Sequence, residues 1–166
     1  MDATQLPGAG VVTATAETDL IRARDIASTV VDPEIPVLSV ADLGILRDVE
    51  VRDGRVTVTI TPTYSGCPAM RQIEHDLKTA LGDAGFADVE VRMVHSPAWS
   101  SEWITPEGRR RLASFGIAPP GPLGEVLCPR CASGSPRMVA RFGSTACKAL
   151  MVCTACGEPF DFFKEF

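Results

Sequence analysis

Apolar residues at positions 20, 21, 26, 27, 30 and 31 recur at roughly helical spacing behind acidic residues, which predicts a helix over residues 19–31. Asp32-Pro33-Glu34-Ile35-Pro36 ends it, because two prolines forbid further helical turns. Residues 45–51 read as a strand, Asp53-Gly54 as a hairpin turn, and Val56, Val58 and Ile60 as the inward face of the return strand. Met70, Ile73, Leu77, Ala80 and Leu81 then mark one face of a second helix, which breaks at residues 83–85. Val89, Val91 and Met93 alternate along a third strand. A third helix is predicted over residues 106–115, with Thr105 as N-cap, Pro106 at its first position and Gly116 closing it. The helix-strand-strand-helix-strand-helix order predicts a small α+β domain over residues 17–116. A Gly-, Ala- and Thr-rich tail precedes it (1–16), and a Pro/Gly-rich linker expected to lack regular structure follows it (117–124).

Composition narrows the classes. Hydrophobic residues make up 45% of the chain and mean hydropathy is +0.12, enough for a packed core. A net charge of −5 argues against general nucleic-acid binding, which needs a basic face. Arg109-Arg110-Arg111 is the one dense basic run, and a solvated helix face accounts for it. No apolar run approaches the roughly 18 residues of a membrane span, and the first residues lack the basic and apolar regions of a secretory leader. The expected location is the cytoplasm, where six cysteines read as metal ligands or reactive thiols and not as disulfides.

Four of those cysteines form two C-x₂-C pairs, Cys128-Pro129-Arg130-Cys131 and Cys153-Thr154-Ala155-Cys156. Each pair converges two thiolates on one point, and together they make a tetrahedral sulfur cage. Residues 125–166 therefore read as a Cys₄ ribbon holding structural Zn²⁺, with a rubredoxin-like iron site as the alternative for the same ligands. Metal binding would supply the stability that so short a segment cannot draw from apolar burial. The aromatic tail Phe160-Asp161-Phe162-Phe163-Lys164-Glu165-Phe166 reads as a last ribbon strand packed on that module, with an exposed patch for a partner protein as the alternative. Cys147 falls outside the pairs and is buried filler, a substitute ligand or a second reactive thiol.

Thr63-Tyr64-Ser65-Gly66-Cys67-Pro68 lies between a strand and the second helix. With Pro68 at the first helical position, Cys67 becomes the N-cap, where free N–H groups and the helix dipole would lower its pKa from about 8.5. Gly66 would let the backbone approach a ligand closely. Cys67 thus reads as a nucleophile or soft-metal ligand, with a small buried junction residue as the plain alternative. Asp32, Glu34 and Asp42 are carboxylates on rigid loops, suited to metal binding or to orienting a thiol's partner, or equally to capping. His75 falls on the second helix; His95 ends the third strand, where a Cys67–His95 dyad is conceivable but a loop histidine suffices. Trp99 and Trp103 read as packing residues, with a docking patch as the alternative.

The runs Asp32-Pro33-Glu34-Ile35-Pro36, Val40-Ala41-Asp42-Leu43-Gly44-Ile45, Thr61-Pro62-Thr63-Tyr64-Ser65-Gly66-Cys67-Pro68 and Pro97-Ala98-Trp99 resemble the metal–sulfur cluster assembly family that includes the SufT-like proteins. Joined to the ribbon, with Phe142-Gly143-Ser144-Thr145-Ala146-Cys147-Lys148-Ala149-Leu150 and Glu158-Pro159-Phe160-Asp161, the chain is similar to the D subunits of phenylacetyl-CoA epoxidases. It departs from simple assembly factors in having the ribbon and in carrying Tyr64-Ser65 before Gly66-Cys67. The resemblance implies a maturation factor in aerobic phenylacetate catabolism with no independent catalysis. Cys67 would be the reactive thiol, transiently holding iron or an iron–sulfur cluster, and Asp32 and Glu34 the acidic loop beside it. The implied partners are the oxygenase and reductase subunits of the epoxidase, and the family often forms homodimers. A docking adaptor without metal transfer and a Cys67 thiol enzyme remain alternatives. Two histidines and no Glu-x-x-His pair argue against a di-iron catalyst in this chain itself.

Overall fold

The computed structural model describes residues 14–166; the first 13 positions of the expected tail lie outside the described residues. Helix α1 (Ala14–Thr29) begins before the predicted start, so residues 14–16 of that tail are helical. Strands β1 (Leu46–Arg52) and β2 (Arg55–Ile60) form the expected hairpin. Asp53 (φ 50°) and Gly54 (φ 80°) both take left-handed backbone at the turn, the conformation whose twist matches paired strands. Helix α2 (Ala69–Asp83) carries the chain over to β3 (Asp88–Met93), which lies parallel to β2. The sheet order is β1-β2-β3, and the central strand buries Val56, Val58 and Ile60 completely.

The periodicity of α2 explains its seat on the sheet. Met70, Ile73, Leu77 and Leu81 fall at helical spacing and are buried, while Gln72–Asp76 and Glu74–Lys78 hydrogen bonds line its outer face. Each fully buried Ile or Leu there contributes roughly 1.5–3 kcal/mol. Helix α3 (Pro106–Ser114) starts as predicted, with the Thr105 hydroxyl accepting the Gly108 N–H at 2.9 Å, and ends at Gly116 (φ 89°).

The predicted linker is more ordered than its composition implies. Ile117–Ala118 forms β4, pairing parallel with β7 (Pro159–Phe163), and Leu123–Glu125 makes a 3₁₀ turn. Strands β5 (Pro136–Ala140) and β6 (Lys148–Cys153) complete a second sheet of order β4-β7-β6-β5. Its own core gathers Ala118, Val126, Ala149, Met151, Phe160 and Phe162 around the buried Cys128 and Cys153. The opposite face joins the first core, which includes Ile117, Cys147 and Phe163. Phe163 is fully buried with its ring centroid 6.0 Å from that of Trp99, whose indole N–H donates to the Leu43 carbonyl at 2.9 Å. The two sheets are thus welded by apolar side chains and not merely tethered.

Candidate metal and thiol sites

The ribbon cysteines converge as their spacing predicts. All four Sγ atoms lie within 4.8 Å of one another, with Cys131–Cys153 at 3.6 Å and Cys128–Cys156 at 3.8 Å. A tetrahedron with metal–sulfur bonds of about 2.3 Å has edges of about 3.8 Å, so the donor set fits a four-thiolate ion. Two similar turns present the sulfurs. Cys128 accepts the Ala132 N–H and Cys153 the Gly157 N–H on their carbonyls, each at 2.9 Å, and Ala132 (φ 57°) and Gly157 (φ 78°) close the turns left-handed. The Cys156 and Ala155 N–H groups draw the Cys153 thiol down to about 7. Cys131 accepts the Ser133 N–H, yet the surrounding thiols, Cys156 foremost, hold it up at about 12. Crowded thiols of this kind give up their protons together only when a cation replaces them.

The second site is built from separated segments. Tyr64 to Cys67 is a four-residue turn in which Cys67 N–H donates to the Tyr64 carbonyl at 3.2 Å, with Gly66 at φ 97°. A Cβ on Gly66 would meet nothing within 4 Å, and the glycine's left-handed φ is what the turn's backbone requires. Regular helix begins at Ala69, although Pro68 already has helical dihedrals (φ −69°, ψ −24°), so Cys67 sits at the entrance of α2. Its thiol accepts the Ala69 N–H and bonds the Thr63 hydroxyl.

The predicted depression of the Cys67 pKa does not occur. Burial pushes the thiol up, outweighing the Ala69 N–H, and the charges of Glu34 and Asp32 push the same way. The charges of Asp32 and Glu34 thus reach the Cys67 thiol, although among the described residues only the ribbon thiols converge within 4.8 Å as a group. Asp32 is 5% exposed; its Oδ1 accepts the N–H groups of Glu34 (2.7 Å) and Ile35 (2.9 Å), which shapes the Pro-bracketed loop. Burial raises the pKa of both carboxyls, and the Lys148 ammonium works against that rise. The Tyr64 hydroxyl bonds Cys67 and is pushed up to about 12 by burial and by the Cys67, Glu34 and Cys147 charges.

Other candidates take different places. Asp42 is a structural cap: it accepts the Ser39 N–H at 3.1 Å and pairs with Arg111 at 3.0 Å. Of the arginine run, Arg110 and Arg111 pair with Glu107, while Arg109 binds the carbonyls of Pro120 and Ser101, both at 2.8 Å. His75 is exposed on α2. His95 is exposed at the rim of a cavity of about 370 Å³, shared with Thr61, Thr63, Tyr64, Trp99 and Phe166, and is not among the groups that shift the Cys67 thiol. Trp99 packs on Phe163 and Phe166, and Trp103 lies under Arg47 (3.6 Å). Sequence reasoning missed Lys148, whose ammonium pairs with Asp161 at 3.5 Å and whose charge reaches Asp32 and Glu34. Only the packing of the ribbon on the first sheet, which no spacing rule encodes, could reveal it.

Comparison with known proteins bears on both sites. Residues 23–93 match the family described as "Iron-sulfur cluster assembly protein", and residues 118–164 the "PaaD zinc beta ribbon domain". An Escherichia coli (strain K12) protein named as the D subunit of a 1,2-phenylacetyl-CoA epoxidase is 45% identical over 82% of this chain and 87% of its own length. An "Fe-S protein maturation auxiliary factor" of Porphyromonas gingivalis is 37% identical over 58% of this chain and 90% of its own. A solved Bacillus anthracis structure titled "Domain of Unknown Function DUF59" superposes with a TM-score of 0.55 at 28% identity, over 59% of this chain and 94% of that one. Among the described residues no helix is long and apolar enough to cross a membrane.

Proposed function

The chain belongs to the family of phenylacetyl-CoA epoxidase D subunits, in which an iron–sulfur assembly domain is joined to a zinc ribbon, and on that premise we propose that it is a cytoplasmic maturation factor for the epoxidase's metal centres. Its cargo, iron or an iron–sulfur cluster, is captured at Cys67 and passed to the oxygenase or reductase subunits. The ribbon ion is zinc and its role is structural: Cys128, Cys131, Cys153 and Cys156 would hold it, and it would supply folding energy.

The observation that carries this reading is the placement of Cys67 beside Asp32 and Glu34 with hydroxyls from Thr63 and Tyr64. A thiol pushed up by burial and by two carboxyls stays protonated and idle at neutral pH. An arriving soft cation is attracted by those carboxyls, and sulfur binds it as the thiol proton leaves. The same proton reverses the step when the cargo moves on, which suits a carrier better than a permanent holder. The dyad enzyme lacks comparable support, since His95 is not among the groups acting on the thiol. The docking adaptor draws on one specific feature: exposed Leu123, Phe142 and Met138 border an apolar cavity of about 540 Å³ on the ribbon.

Co-expression of the epoxidase subunits with wild-type chain or Cys67→Ala separates the readings. Iron and acid-labile sulfide in the purified oxygenase and reductase should fall severalfold with the variant. Normal loading with Cys67→Ala would overturn the carrier role.

A further inference from the structure

Strands β2 and β3 run parallel up to Ile60, whose carbonyl accepts the Val94 N–H at 2.9 Å, and then part. One segment turns at residues 61–65 toward α2; the other runs through residues 95–98 to Trp99. Between them, beyond the carboxyl ends of the strands, lies a cavity of about 370 Å³, near the lower end of the size range of small-molecule sites. Crevices at that end of adjacent parallel strands are where open sheets bind ligands. Thr61 lines this one. Its backbone N–H donates to the Ile45 carbonyl at 2.9 Å, but its buried hydroxyl has no hydrogen-bond partner among the described residues. The residue is 1% exposed, and valine would fill the same space without stranding a hydroxyl.

The other walls are largely aromatic. Tyr64, Trp99 and Phe166 border the cavity, and no aspartate, glutamate, lysine or arginine lines it. Trp99 commits its indole N–H to the Leu43 carbonyl at 2.9 Å, so it offers the cavity only its ring. The Phe166 ring stands edge-on to that ring, centroids 6.0 Å apart at 66°, and the Phe166 carbonyl accepts the Ser101 N–H at 3.2 Å. A charged guest would lose hydration there and meet no fixed counter-charge. A flat ring instead gains edge-to-face contacts with these walls, and one oxygen on it answers the Thr61 hydroxyl. We propose that this cavity binds a small neutral aromatic molecule bearing one hydroxyl or carbonyl oxygen, with Thr61 as its hydrogen-bond partner. The site is additional to metal carriage and stands whether or not Cys67 holds cargo.

The test titrates phenol, and benzene as the ring without the oxygen, into the full chain with zinc in its ribbon, followed by ¹H–¹⁵N NMR. Phenol should shift the Trp99 indole N–H and the Thr61 and His95 amides saturably. The Trp103 indole, which lies under Arg47 and does not line the cavity, should stay in place. Benzoate, the same ring carrying a charge, should bind at least about tenfold more weakly than phenol. Thr61→Val should cut the phenol-to-benzene affinity ratio about fivefold to tenfold, the effect of one net hydrogen bond. Its Tm should match or exceed that of the wild type, because no partner is lost. Ala98→Phe, at the exposed rim, should close the cavity and abolish the shifts in a chain that keeps its Tm, and it decides alone if Thr61→Val does not fold. An unchanged ratio in Thr61→Val means that ordered water and not a ligand answers the hydroxyl, which overturns the proposal. So do shifts that fail to saturate, equal shifts at Trp103, benzoate binding as tight as phenol, or phenol binding that survives Ala98→Phe.

Discussion

The molecule carries two groups of cysteines that differ in how they are assembled. The ribbon site takes all its ligands from two tight turns in one small sheet, and its sulfurs already converge. The Cys67 site takes residues from the acidic loop, the entrance of α2 and the start of β6, positions 32 to 148, and holds its thiol protonated among carboxyls. A closed set of four soft donors keeps an ion; an open, mixed set with opposing charges can take one and release it. Under the proposed carrier role, one chain separates permanent metal binding from transient binding by the sequence distance over which ligands are collected.

Removing the ribbon ion tests that separation with the largest expected effect. Chelation, or Cys128→Ser, should cost several kcal/mol and lower Tm by about 10 °C or more. Ile117, Cys147 and Phe163 belong to the first core, so amide protection should drop in β2 and α2 as well as in the ribbon, by hydrogen exchange. Unchanged protection of Val58 and Leu77 would mean that the units are independent and that the seam is incidental.

A smaller perturbation probes the weld without touching metal. Phe163→Ala removes a fully buried ring and should cost about 3–5 kcal/mol in denaturant unfolding, with a shift in Trp99 fluorescence. Phe142→Ala, 69% exposed in the loop between β5 and β6, should stay within about 0.5 kcal/mol. Equal effects would break the claim that the seam and not the outer ribbon face ties the two sites together.

These differences also explain what is legible in the sequence. Strand alternation through Val56, Val58 and Ile60, the Asp53-Gly54 turn, the α2 stripe and the C-x₂-C pairs are local patterns, and the fold follows them. Resemblance, not spacing, puts Asp32 and Glu34 beside Cys67, because contacts across 30 residues leave no period. The helix-start argument gives the wrong direction for the Cys67 pKa for a physical reason: position at a helix start is local, whereas burial depends on every element packed around it. The ordered β4 escapes sequence reading because its partner, β7, lies some 40 residues on and Pro119-Pro120 hides a two-residue strand.

Asp32 offers the finest test of the comparison, because a site kept for transient binding should be one the fold would rather not have. Its pKa is raised by burial from the ordinary 3.8, despite the Glu34 and Ile35 N–H groups and Lys148. A carboxyl with a raised folded-state pKa contributes fully below its unfolded pKa, and that contribution is lost as pH rises through the folded value. Asn keeps the acceptor oxygen for both N–H groups and removes the buried charge. Asp32→Asn should therefore raise Tm at pH 7, by about 2–4 °C for each kcal/mol recovered, with the gain fading to nothing below about pH 4. The measurement is Tm of both proteins from pH 3 to 8. A variant less stable at every pH would show that the Asp32 charge is there for the fold, and the line drawn between a structural and a transient metal site would lose its acidic half.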